Sequence, residues 1–439
     1  MVETLAGFLF WRLTFNEEGQ AVSPTVIDTF VNEVKAQNIS DLFIFSHGWN
    51  NDQTVARSLY ERFFMEVRKL VDDPNIPKRR TAKIGVAGVL WPSVWWPDNE
   101  FGDSGGGAAS LGAGEAGSDF IGELKKVFTA KEQHRTLDEL GEMLNRRERN
   151  EAALQEFKAK LNALISAPDQ GHATHDDLER QGILVGDDQW LDALDALADQ
   201  EAPSESMGGA ASIGDKFGRL WDGAKASLRV ASYWQMKNRA GIVGRNGLGP
   251  LIGRLDQALD LKIHLLGHSF GARLVSCALA GMPAPPPETL SPVRSLFLIQ
   301  AAFSHFAFAD ALPFDKTRKG DLAGMAARVS GPLLTTHSLK DTAVGSAYPL
   351  ASILAGQDAA DESDIFFRWG AMGHDGAQAV AAKTALLSPA GATYPLVPGQ
   401  WLNLDANSVI INGGPPSGAH SDIVHPHTAW AALAAAGIG

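Results

Sequence analysis

One cysteine, Cys277, stands in 439 residues. A lone cysteine excludes an intrachain disulfide and points to a reducing compartment. It falls in a helix-like stretch and reads as a small core residue. Positive charge is scarce: 38 Lys and Arg stand against 51 Asp and Glu, for a net charge of −13. That balance argues against nucleic acid as a partner, since such binding needs a basic face. No apolar run reaches membrane-spanning length, so no transmembrane segment is expected. The first stretch, MVETLAGFLFWRLTFNEEG, carries Glu3 and is interrupted by Arg12, unlike a signal peptide. A cytoplasmic protein is expected, or one exported without a cleaved signal. No His, Asp and Glu set has metal-ligand spacing, so neither a metal nor a cofactor is expected. No internal repeat is visible.

Apolar residues make up 45% of the chain, enough for a sizeable core. Short apolar runs at Leu5–Phe15, Asp41–Ser46, Ala82–Trp91, Lys262–Leu266, Val293–Ile299, 332–337 and Ser408–Asn412 predict strands. Helical spacing predicts helices over 24–37, 52–71 and 427–436. Alternating strands and helices imply an α/β fold: a mostly parallel central sheet with helices on both faces. The roughly 170 residues between Trp91 and Leu261 exceed an ordinary crossover. Helical patterns fill them at 131–167, 188–199 and 214–239. Residues 1–97 and 233–439 are therefore expected to form the core, with 98–232 as a helical insertion. That insertion reads either as a stabilising appendage or as a lid.

The stretch the chain is organised around is Leu261–Arg273, LKIHLLGHSFGAR. A buried strand leads into Gly267-His268-Ser269-Phe270-Gly271, and an unbroken helical stretch follows. In a G-x-S-x-G of this context the serine sits on a strained strand-to-helix corner, its hydroxyl lifted from the sheet. A second G-x-S-x-G, Gly102-Asp103-Ser104-Gly105-Gly106, has neither a strand before it nor a helix after it. Ser104 is therefore expected in a loop, and Ser269 is the expected nucleophile.

A serine hydroxyl needs a base, and the base needs an acceptor that fixes its tautomer. Asp341 lies just past the 332–337 strand, and His420 lies in a glycine-rich loop past 408–412. Ser269, Asp341 and His420 are therefore the expected catalytic residues. Asp310 is a rival acid, although Gln300 occupies the end of the 293–299 strand. His425 and His427 are rival bases, read as capping residues of the terminal helix. Asp422 is expected to support the His420 loop. His47-Gly48-Trp49 follows a buried strand and reads as an oxyanion loop, with the N–H groups of Trp49 and Phe270 as donors. His47, Gly48, Trp91, Trp95 and His268 are expected to line the substrate pocket.

These residues together resemble the α/β-hydrolase superfamily, and within it bacterial serine esterase and lipase-like proteins. The resemblance is carried by His47-Gly48-Trp49-Asn50, Trp91-Pro92-Ser93, the Gly267–Gly271 motif, Ser338-Leu339-Lys340-Asp341 and His420-Ser421-Asp422. The stretch Ser232–Gly241 also looks like that of other members. The likeness covers about 2–96 and 233–439, not the insertion. It implies hydrolysis of a small-molecule ester or lipid through a Ser-His-Asp triad and an acyl-enzyme, without a cofactor. Amidase or peptidase chemistry uses the same residues, and a phospholipase-type effector is a further alternative. A non-catalytic binding protein fits the intact Ser, Asp, His order less well. The single cysteine and the absent signal depart from secreted lipases.

Overall fold

The computed structural model describes residues 2–93, 118–165, 187–201, 213–284, 290–344, 370–414 and 417–439. The chain divides into two compact units, and the boundaries fall at residues 109/110, 236/237, 345/346 and 369/370. The first unit is α/β. Its described strands are β1 (Glu3–Leu5), β2 (Phe8–Thr14), β3 (Asp41–Ser46), β4 (Ile84–Leu90), β5 (Lys262–His268), β6 (Val293–Ile299), β7 (Leu333–His337), β8 (Ala382–Leu386) and β9 (Trp401–Asp405). They form one sheet in the order β1-β2-β4-β3-β5-β6-β7-β9-β8. Only β1 runs antiparallel to its neighbour among these strands.

The helices, in chain order, are α1 (Pro24–Ala36), α2 (Gln53–Asp72), α3 (Ser118–Val127), α4 (Lys131–Arg146), α5 (Glu151–Ile165), α6 (Asp187–Glu201) and α7 (Ile213–Ile242). A π-helical stretch, Val243–Leu248, joins α7 to α8 (Gly249–Ala258). Then come α9 (Phe270–Gly281), the short α10 (Met372–Asp375) and α11 (Pro426–Ala435). Every residue of β3 and β4 is buried, as expected of strands covered on both faces. Successive side chains of β3 point to opposite faces. Phe43 and Phe45 pack with Tyr60, Phe63 and Phe64 of α2 and with Trp430 of α11. Leu42 and Ile44 are buried on the other face, where α1, α8 and α9 lie. Each fully buried phenylalanine in this layer contributes about 1.5–3 kcal/mol.

Local chemistry explains the element ends. Asp52 caps α2, its Oδ1 accepting from the N–H groups of Thr54 and Val55 at 2.7 and 2.8 Å. The single strand expected at 5–15 is instead a hairpin. Ala6 and Gly7 take φ values of 49° and 78°, the left-handed pair that a tight hairpin turn needs.

The strand expected at Ser408–Asn412 is not one. Val409 and Ile410 both donate their N–H groups to Ala406 O in a turn, and Ile411 and Asn412 donate theirs to Asp422 Oδ2. A carboxylate thus takes the hydrogen bonds a neighbouring strand would have taken. The sheet is completed instead by β9 and by β8. The edge strand β8 is largely exposed on both faces and has no apolar run to announce it.

The second unit is helical in its described residues. The helix expected at 131–167 is two helices, broken at Arg147, which sits at φ 45°. Asn150 Oδ1 then accepts from Ala153 N–H at 2.8 Å and starts α5. Leu137, Leu140, Leu154, Phe157 and Leu161 are buried between α4, α5 and their neighbours. Trp190 Nε1 donates to Leu154 O at 2.9 Å, so this fully buried ring is also polar-satisfied. No described helix is long and apolar enough to cross a membrane.

Candidate functional site

The C-terminal ends of the parallel strands gather the polar residues singled out by sequence. In open α/β sheets this edge is where ligands bind. Ser269 follows β5, Asp341 follows β7, and His420 lies beyond β9. His47–Trp49 follows β3, Trp91 follows β4, and Gln300 follows β6.

Ser269 has φ 57° and ψ −124°. A non-glycine residue there stores of the order of 1–3 kcal/mol of strain, so the surroundings must hold it. They do so through a hydrogen bond from Ser269 N–H to Ile299 O at 3.2 Å and through glycine at two contacts. A Cβ on Gly271 would lie 2.1 Å from Ser46 O and 2.4 Å from His47 O. A Cβ on Gly48 would lie 2.6 Å from the Ser269 Cβ. The loop after β3 therefore touches Ser269 only because residue 48 has no side chain.

Ser269 Oγ is 2.8 Å from His420 Nε2, and His420 Nδ1 is 2.7 Å from Asp341 Oδ2. All three are buried, the most exposed being Ser269 at 6%. A carboxylate only accepts, so His420 carries its proton on Nδ1 and presents a bare Nε2 to the serine hydroxyl. Asp341 Oδ1 accepts from Val344 N–H at 3.2 Å. The loops bearing acid and imidazole are tied to each other: Ala419 N–H donates to Lys340 O at 2.8 Å, and Ala343 N–H to Ser417 O at 3.2 Å. Asp310 is exposed and takes no part.

The loop after β3 is held from below. His47 Nδ1 donates to Gly48 O at 2.8 Å, and Asn51 Nδ2 donates to Gly48 O and Trp49 O at 3.3 and 2.9 Å. Across a trans peptide the N–H points opposite to the carbonyl, so these bonds fix which way the Trp49 N–H faces. Burial pushes the His47 imidazolium down to about 4, so the ring is neutral near pH 7. The backbone N–H of His47 donates to Tyr60 Oη at 2.9 Å, and that hydroxyl in turn donates to Val89 O at 2.6 Å. Trp91 stacks on the His47 ring at 5.7 Å and donates its Nε1–H to His47 O at 3.0 Å. His268 donates Nε2–H to His420 O at 3.0 Å, and burial pushes it down to about 3. Trp49 and Phe270 lie side by side, ring centroids 6.0 Å apart.

The structure thus brings together Ser269, Asp341, His420, His47, Gly48, Trp49, Phe270, Trp91 and His268. Trp95 and Ser104 lie outside the described residues. His425 Nε2 bonds Asp422 Oδ1 at 2.9 Å at the start of α11, away from the serine. Among the described residues no group of three or more His, Cys, Asp or Glu could hold a metal ion. Sequence reasoning missed Gln300, whose Nε2 donates to Asp341 Oδ2 at 2.8 Å. A polar amide directly at the end of a buried strand was the available signal. It also missed Tyr60 and Asn51, which brace the loop after β3.

A second Ser, His, Asp series lies near the N-terminal ends of β3, β5 and β6. Ser295 Oγ is 2.9 Å from His264 Nδ1, and His264 Nε2 is 3.0 Å from Asp41 Oδ1. Arg80 pairs with the same Asp41. Ser295, His264 and Asp41 are at most 2% exposed.

Comparison with protein-family models, with curated proteins and with solved structures finds no match to the chain.

Proposed function

We propose that this chain is a serine hydrolase of the α/β-hydrolase fold that cleaves carboxylic esters. The observation that carries the reading is the Ser269–His420–Asp341 series, at 2.8 and 2.7 Å, with the serine on a strained strand-to-helix corner. In this mechanism His420 Nε2 takes the Ser269 proton as Oγ attacks the ester carbonyl. Asp341 stabilises the resulting imidazolium and keeps its Nδ1 proton in place. The N–H groups of Trp49 and of Phe270, the latter at the N-terminus of α9, stabilise the oxyanion. Each such donor is worth about 3 kcal/mol in the transition state. His420 then hands its proton to the leaving alkoxide. Water, deprotonated by His420, releases the acyl group and restores Ser269.

His47 belongs to the machinery as a brace. A neutral Nδ1–H on Gly48 O keeps the Trp49 N–H aimed throughout the neutral pH range. The insertion is proposed to act as a lid. Shortening 102–117 is then expected to alter turnover of bulky esters more than of small ones, and equal effects would leave the insertion a structural appendage.

The direct test is labelling with a fluorophosphonate, followed by mass mapping and an ester panel of increasing acyl length. Label on the Ser269 peptide, with turnover of at least one ester, is expected. Absence of label at Ser269 in folded protein sinks the proposal. An amide panel run in parallel separates esterase from amidase chemistry.

A further inference from the structure

We infer that Gln300 is a positioning residue that holds the Asp341 carboxylate for His420, an inference that rests on the hydrolase reading above. Gln300 is fully buried at the end of β6, one strand from Asp341. Its Nε2 donates to Asp341 Oδ2 at 2.8 Å and to Gly373 O at 3.0 Å. Its Oε1 accepts from Thr336 Oγ1 at 2.9 Å, and its own N–H donates to the same Thr336 Oγ1 at 3.0 Å. The amide cannot be turned over, because its oxygen would then face two acceptors, Asp341 Oδ2 and Gly373 O.

The oxygen that Gln300 grips is the one that His420 Nδ1 uses. Asp341 Oδ2 is therefore fixed by a neutral donor on one side and the imidazole on the other. Oδ1 is fixed by Val344 N–H. The carboxylate cannot rotate without breaking one of these bonds inside a buried site, where an unmet polar group is costly.

Residue 300 also has φ 46°, a strained conformation for glutamine. Strain at a buried strand end, joined to a fully used amide aimed at the acid, is more than packing requires. A neutral donor suits the task. It steadies the carboxylate without adding a charge that would compete for the imidazolium.

The groups facing this acid are His420 and His374, with His374 bonded to Asp375 of α10 and His268 beside His420. All stay in place in the variants that test the idea. Gln300→Met is expected to lower kcat about 10- to 100-fold, with KM within about twofold, because only orientation in the transition state is lost. Gln300→Glu keeps shape but adds an acid beside Asp341. The acid limb of its kcat/KM profile is expected to move up by about one pH unit, since extra negative charge holds the proton on the imidazole. A Gln300→Glu change made on Asp341→Asn swaps acceptor and donor, and is expected to regain at least about tenfold over Asp341→Asn alone.

Wild-type kcat and an unmoved acid limb in both single variants would overturn the role. So would failure of both to fold, since that assigns Gln300 to packing. Wild-type protein that hydrolyses no ester and takes no label at Ser269 overturns the hydrolase reading itself, and this role with it. An active, labelled wild type with indifferent Gln300 variants overturns the role alone.

Discussion

At residue scale the site depends on atoms that must be present and on atoms that must be absent. Ser269→Ala removes the proposed nucleophile but keeps the Cβ contacts, so folding should persist while ester turnover and label vanish. The second series, Ser295, His264 and Asp41, stays intact in that variant. It should take no label, because Ser295 lies within the regular strand β6 and not on a strained strand-to-helix corner like that of Ser269. Label on Ser295 would mean that this end of the sheet opens. For the acid, Asp341→Asn places a donor where His420 Nδ1–H needs an acceptor. A loss of up to about 10⁴ in kcat is expected. Asp310→Asn, at an exposed position, should stay near wild type in the same assay, with thermal melts as the folding control.

At the scale of elements, two arrangements decide whether the site exists. The first is the β5–α9 corner. Gly271→Ala would put a methyl 2.1 Å from Ser46 O, which is backbone and cannot swing aside. The helix must shift, and a loss of about 1–3 kcal/mol or more is expected, read as a lowered melting temperature with lowered turnover. The second is the loop carrying His420. Asp422 Oδ2 accepts from Ile411 N–H, Asn412 N–H and Asn412 Nδ2, while its Oδ1 meets His425. Asp422→Ala removes the acceptor of those solvent-exposed donors, which water can partly replace, and should cost about 0.5–1.5 kcal/mol. It should also lower kcat more than it raises KM, since His420 is two residues away. An unchanged melt would show that water replaces the carboxylate at no cost.

At the scale of the whole molecule, the buried histidines set how stability responds to acid. Burial depresses His47 to about 4 and His268 to about 3, and it lowers His264 as well. In the unfolded chain each titrates near the ordinary value of about 6.5. The unfolded state therefore binds more protons than the folded one below that value. Stability is fully present above pH 6.5 and falls as pH drops, until about 4 for His47 and about 3 for His268. His47 alone accounts for roughly 3 kcal/mol over that window. Denaturant melts between pH 7 and pH 4 should show this slope, and His47→Gln should make it shallower, leaving the part due to His268 and His264. A stability flat across pH 7 to 4 contradicts the neutral, buried His47.

The parallel α/β core was legible because it is written locally. Buried central strands are apolar along their whole length, as in Asp41–Ser46 and Ile84–Leu90, and the strand-turn-helix context around Ser269 has its own glycine pattern. Ser269, Asp341 and His420 could be nominated because each lies where a predicted strand end would leave it. Which acid faces the imidazole was not local information, since Asp341 and His420 meet across 79 residues of chain. The last strands were misjudged for a related reason. Val409-Ile410-Ile411 has strand propensity, but Asp422 and Ala406 claim its hydrogen bonds, and β8 forms at an edge where few side chains need burial. Gln300, Asn51 and Tyr60 became visible only once the strand ends stood side by side. Their role lies in the one hydrogen bond each brings to a neighbour distant in sequence, and only the tertiary structure decides which neighbour that is.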